Sequence, residues 1–147
     1  RGMLIGDDTD SHIDNLVRFC STDSLAYAIC EDSDDPHYLP LQKMEKQVQD
    51  LRRADGSPYR LFPVPIPPPR VDEEDRRLPA SYVNFLIVNE AVLVPVFGCA
   101  ADARALNILR EAFPGKQLVP VPGNNLIRQF GGPHCATMQL PAGSLNR

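Results

Sequence analysis

The sequence has no excess of positive charge, no long apolar run and no paired-cysteine motif. Lys and Arg number 15 against 19 Asp and Glu, a formal net charge of −4. No basic stripe with interleaved aromatics appears, so nucleic acid is not an expected partner. No apolar run is long enough to span a bilayer and no signal peptide is visible, so no membrane partner is expected either. The four cysteines, Cys20, Cys30, Cys99 and Cys135, match no CxxC zinc spacing. Three lie in or beside apolar runs, where free Cys acts as a small hydrophobe. Reduced thiols and a cytoplasmic setting are the expectation. The acidic balance suits a cationic substrate, though many soluble enzymes share it.

What is present is a repeated pattern within 147 residues, the length of one compact domain or a piece of a larger one. Leu16–Cys20 and Leu25–Cys30 read as strands, the second apolar throughout and hence buried on both faces. Leu41, Met44, Val48 and Leu51 recur at helical offsets and predict an amphipathic helix over Leu41–Arg53. Asp55-Gly56-Ser57-Pro58 stops it. Tyr59–Ile66, broken by prolines, reads as an edge-like strand. A solvated loop follows, through Pro67-Pro68-Pro69 and the charged run Asp72–Arg77. The order then recurs: strand Ser81–Val88, turn Asn89-Glu90, strand Ala91–Phe97, helix Asp102–Phe113 and strand Gln117–Val121. Leu25 and Ala91, which open equivalent strands, are 66 residues apart. The predicted class is α+β, with two ββαβ modules (11–66 and 81–121) and a tail, 122–147. In that tail Asn124-Asn125 caps a helical turn and Ala136–Leu140 forms a last strand. Modules of this kind cannot close a core alone, so further copies are expected beside them.

Two places carry more chemistry than a core requires. Asp7, Asp8, Asp10, His12 and Asp14 crowd together just before the first strand. In an extended segment His12 and Asp14 would share a face and line one pocket; a solvated acidic loop is the plain alternative. A calcium loop is excluded, because the positions that need Gly and Glu hold Ile13 and Phe19. A zinc site from His12, Asp14, His134 and Cys135 fits no standard spacing. Near the other end, Gly131-Gly132-Pro133-His134 is an unusual entry to a core strand and presents Cys135 where a loop meets a strand. A buried structural thiol is the alternative there. Cys20, Cys30 and Cys99 read as structural, and His37 as an exposed loop histidine. The Cys/His/Asp set suits nucleophilic catalysis, and the residue types alone do not choose between acyl transfer and attack on another electrophilic carbon.

Gly6-Asp7-Asp8-Thr9-Asp10-Ser11-His12-Ile13-Asp14-Asn15, Ala80-Ser81-Tyr82-Val83-Asn84-Phe85 and Gly132-Pro133-His134-Cys135-Ala136-Thr137-Met138-Gln139 resemble, in order, three blocks of the agmatine deiminase family, which includes the bacterial Porphyromonas-type peptidylarginine deiminases. The resemblance implies the pentein fold, a pseudo-fivefold α/β propeller of ββαβ modules, of which this chain would supply about two plus a C-terminal strand. It also implies hydrolysis of a guanidine such as agmatine, a step toward putrescine, without metal or organic cofactor. Carried over by position, Cys135 is the nucleophile, His12 the general acid/base and Asp14 the residue that grips the guanidinium. The family's upstream half, with further acidic residues, is absent from this sequence. The chain is therefore expected to be the C-terminal portion of one domain, incomplete and inactive without its N-terminal half. Its exposed sheet edges favour association, and a homo-oligomer is compatible with them. The family's common Gly-Asn-Ile-His-Cys reads Gly-Gly-Pro-His-Cys here. Peptidylarginine hydrolysis, amidino transfer and a non-catalytic binding relative are the alternatives.

Overall fold

The computed structural model describes residues 4–6, 12–138, 140 and 144. Among them the chain forms two three-stranded sheets built to the same plan. In the first, β1 (Val17–Phe19) runs antiparallel to β2 (Ser24–Ile29), and β2 runs parallel to β3 (Arg60–Pro65). In the second, β4 (Leu86–Val88) is antiparallel to β5 (Ala91–Val96), which is parallel to β6 (Gln117–Pro122). Parallel neighbours need a crossover, and a helix supplies it each time: α1 (Tyr38–Gln49) and α2 (Ala101–Ala112). The α+β class and the repeated ββαβ plan of a pentein are thus both present. No helix among the described residues is long and apolar enough to cross a membrane.

Sequence and position explain each element. β2 is buried along nearly its whole length because α1 and α2 both pack against it, so its apolar run needs no polar face. α1 turns Leu41, Met44 and Val48 inward; it ends before Leu51, which is exposed. Pro40 falls in its first turn, where backbone N–H groups lack intrahelical partners anyway. Pro63 and Pro65 lie in β3, an edge strand of its sheet. Pro95 lies in a central strand, but β4 pairs only with 91–93, so that proline sits beyond the reach of β4.

The strand expected over Ser81–Val88 is shorter than predicted, and only Leu86–Val88 pairs. The Ser81 hydroxyl donates to the Asn15 carbonyl at 2.7 Å and accepts the Val83 N–H at 3.2 Å. These bonds fix a turn and pull the segment against the first module. Asp102 secures its other side, accepting the Tyr82 hydroxyl at 2.6 Å and the N–H groups of Phe97, Gly98 and Cys99. T-shaped ring pairs, Tyr82 with Phe97 and Phe85 with Phe113, fill the space beneath.

Two further expectations fail. Ala136–Leu140 forms no strand at its described residues. Instead the chain curls back through Pro133–Ala136, with Ala136 N–H on the Gly132 carbonyl and Thr137 N–H on the His134 carbonyl. His37 is not an exposed loop histidine but 2% exposed. Its Nδ1–H donates to Asp35 at 2.8 Å, and its Nε2 accepts the Ile5 N–H at 2.7 Å. Asp35 in turn pairs with Arg77 at 2.7 Å, so the charged loop is tied down at its end. Burial, reinforced by the Arg77 charge, holds His37 below its ordinary pKa and keeps it neutral. Gly6 passes directly over the same loop with φ +90, and a Cβ there would lie 2.1 Å from the Arg77 carbonyl oxygen. Leu4, Ile5 and Gly6 are thereby pinned to the first module.

Candidate active site

The two modules meet where residues 13–18 face 81–85, and the tail folds over that seam. Ile13–Asn15 forms a single 3-10 turn. Arg18 then crosses to the second module, donating to the Phe85 carbonyl at 2.7 Å and lying over the Phe85 ring. These contacts fix Asp14 at the mouth of the seam. The Pro133–Ala136 turn brings His134 and Cys135 to the same point, across 120 residues of chain.

Asp14 Oδ2 is shared. His134 Nδ1–H donates to it at 2.6 Å and the Cys135 thiol at 3.2 Å. Asp14 Oδ1 is buried and has no hydrogen-bond partner among the described residues. Burial alone would raise the pKa of Asp14, but the bonds from His134 and Cys135 outweigh it, and the carboxyl lies below its ordinary range. At neutral pH it is an anion. The Cys135 thiol is shifted the opposite way. Although the residue is exposed, partial covering of its thiol and the neighbouring Asp14 charge push it up, against the Gly132 backbone and the Asn84 amide, which favour the thiolate. Cys135 is the exposed cysteine of the four, while burial of Cys20 raises its thiol to about 12.

Asn84 underlies the turn and is 1% exposed. Its Oδ1 accepts the backbone N–H of His134 at 3.0 Å and of Cys135 at 3.4 Å, and its Nδ2 donates to Cys135 Sγ at 3.1 Å. The glycines permit this approach. A Cβ on Gly132 would lie 2.6 Å from Asn84 Oδ1, and one on Gly131 would lie 2.5 Å from Cys135 Cβ.

Asp14 and His134 open onto a groove of about 690 Å³ whose other walls include Arg18, Val17, Met44 and Val48. Cys135 opens onto a smaller hollow of about 100 Å³ beside Gly131 and Gly132. The Asp14 anion suits one cationic end, and the aliphatic side chains of Val17, Met44 and Val48 suit one apolar stem.

Of the residues singled out from sequence, Asp14 and Cys135 come together and His12 does not join them. The extended geometry expected of His12-Ile13-Asp14 is replaced by the 3-10 turn; His12 precedes it, exposed, with no hydrogen bond among the described residues. Asp7, Asp8 and Asp10 lie outside the described residues. Sequence reasoning gave no role to Asn84 or Arg18. The available signal for Asn84 was its polarity inside the apolar stretch Tyr82–Val88.

A family model described as Porphyromonas-type peptidyl-arginine deiminase matches residues 1–141. Agmatine deiminase of Stutzerimonas stutzeri is 35% identical, over 95% of this chain and 42% of its own length. That of Pseudomonas aeruginosa is 34% identical with the same coverage. A crystal structure provisionally assigned as a peptidyl-arginine deiminase superposes with TM-score 0.93 at 45% identity, over 97% of this chain and 42% of the other. C. jejuni agmatine deiminase gives TM-score 0.82 at 39% identity, over 92% and 39%. The chain thus spans about 42% of the length of the curated relatives it matches.

Proposed function

Because the chain belongs to the Porphyromonas-type peptidyl-arginine deiminase family, we propose that it is the nucleophile-bearing part of a guanidine hydrolase that converts agmatine and water to N-carbamoylputrescine and ammonia. In this reading residues 1–147 are the C-terminal part of one domain, with modules 11–66 and 81–121 and a tail, 122–147. The observation that carries the reading is the Asp14 carboxylate, with one oxygen bonded to the Cys135 thiol and the other buried and unpartnered among the described residues. A planar guanidinium satisfies such a carboxylate through two N–H groups. Held there, its central carbon lies within reach of Sγ.

The chemistry follows from the charges. In the empty site Asp14 disfavours the Cys135 thiolate. A bound cation cancels that charge, and the thiol passes its proton to His12 as substrate arrives. The thiolate forms a C–S bond to the guanidine carbon. The C–N bond then breaks as His12 protonates the departing ammonia, leaving a thiouronium ester on Cys135. Water, giving its proton to His12, attacks the same carbon; the C–S bond breaks and the ureido product leaves. These steps use side chains and water alone. His12 has to swing toward Asp14 for this role. The rest of the polypeptide supplies the further acidic groups and closes the groove, so this chain by itself is inactive. Reduced free thiols suit a cytoplasmic setting.

A second substrate, peptidyl-arginine, is favoured by the family model and by the structural relative of that assignment. The full-length protein should release ammonia from agmatine with no acceptor amine present, and should leave an arginine-containing peptide unchanged. Ammonia from the peptide alone would exchange the two substrates. Absence of product from any guanidine, or full activity after Cys135→Ala, would overturn the reading.

A further inference from the structure

Asn84 lies in the second module, 51 residues from Cys135, inside an otherwise apolar stretch. A nearly fully buried amide at such a place must have its polar atoms satisfied. Here the contacts converge on the nucleophile's turn and on Asp14 beside it, which the Asn84 amide also helps to hold ionised. The side-chain carbonyl oxygen accepts the N–H groups of His134 and Cys135, the backbone carbonyl accepts His134 N–H at 3.3 Å, and the amide nitrogen reaches Sγ at 3.1 Å. Gly132 is packed so closely on the same amide that no side chain fits between them. A residue that only filled the core would need none of this convergence.

The geometry points to Asn84 as the positioning residue of the nucleophile: its carbonyl oxygen holds the His134–Cys135 backbone in the turn, and its amide N–H donates to the sulfur. Asp14 and Asn84 then act on one sulfur in opposite senses. Asp14 accepts from the thiol and favours the neutral form, whereas Asn84 donates and favours the thiolate. With Asp14 occupied by a cation, the Asn84 bond remains and, with the Gly132 backbone, stabilises the anion. The inference deepens the guanidine-hydrolase reading by assigning a residue to its nucleophile. Its test reads the thiol and not turnover, so the two can fail separately.

The experiment follows the labelling rate of Cys135 by iodoacetamide as a function of pH, resolved by peptide mass spectrometry, in the full-length protein, unaltered and as Asn84→Asp, Asn84→Ala and Gly132→Ala. Asn84→Asp keeps the acceptor and replaces the donor with a carboxyl, and its midpoint should move up by about one pH unit or more. Asn84→Ala should move the same way. Gly132→Ala forces the turn off the Asn84 carbonyl oxygen and also displaces the Gly132 backbone from the sulfur, so it should raise the midpoint at least as far. Circular dichroism separates a folded variant from an unfolded one. In the unaltered full-length protein the Asn84 side-chain amide resonances should shift with the Cys135 titration, a readout that needs no variant. Unchanged midpoints in folded variants, or Asn84 amide resonances indifferent to thiol ionisation, would overturn the assignment.

Discussion

Replacing Asp14 by Asn should push two assays in opposite directions. The carboxylate lies 3.2 Å from Cys135 Sγ. Unit charges about 4 Å apart interact by about 4 kcal/mol at an effective dielectric near 20, and by about 1 kcal/mol in bulk water. Cys135 is exposed, so the value lies toward the aqueous limit, about 1–2 kcal/mol, or about one pKa unit. Removing the charge lowers the thiol pKa by that amount and raises the thiolate fraction at neutral pH about tenfold. A less basic thiolate is a weaker nucleophile, with a Brønsted slope of about 0.4–0.5, so the net gain in rate toward a disulfide reagent is about threefold. Dithiodipyridine at pH 7, with the mixed disulfide located by peptide mass, measures it. Turnover by the full-length protein should fall instead. Two charge-assisted bonds to a guanidinium at about 1.5–3 kcal/mol each correspond to a loss of about 10²–10⁴ in kcat/KM. A folded Asp14→Asn variant with an unchanged or slower thiol would refute the reasoning, because Asp14 would then not govern the charge on the nucleophile.

Other perturbations test the scaffold. Arg77→Met removes one partner of the buried Asp35 pair and should cost about 3 kcal/mol, read from urea unfolding followed by circular dichroism; a loss under about 1 kcal/mol would show that Asp35 finds another partner. The Cys20 thiol is raised by burial from an ordinary 9.0 to about 12. The unfolded chain gives up that proton near 9 while the folded chain holds it to about 12, so stability present below pH 9 is lost progressively up to about 12. Cys20→Ala should flatten the melting temperature over that range, and an unaltered alkaline slope would assign the loss to other groups.

The parts of the fold legible in sequence are those set by neighbours in the chain. The helical offsets of Leu41, Met44 and Val48 placed α1, and the apolar run Leu25–Cys30 placed β2. Two of the failures involve distant partners. Ser81 leaves the strand pattern because its hydroxyl meets a carbonyl 66 residues away. His37 is buried because the backbone of Ile5 returns to it from 32 residues upstream. Ala136–Leu140 has strand-like composition but no described partner strand, and local hydrogen bonds within the turn take its place. At the site, residue type singled out Asp14 and Cys135, whose side chains meet. The alternation argument for His12 failed because Asp14 belongs to a 3-10 turn. Asn84 went unread because a polar residue in an apolar run reveals its partner only in three dimensions.

The most direct test of the proposed site compares 2-chloroacetamidine with chloroacetamide as labels for Cys135 in the full-length protein. The two reagents share a leaving group and differ in the planar cation that Asp14 is proposed to hold. The account predicts faster labelling by the amidine, confined to Cys135, with the preference lost in Asp14→Asn. Equal rates for the two reagents, or amidine labelling centred on another cysteine, would contradict it.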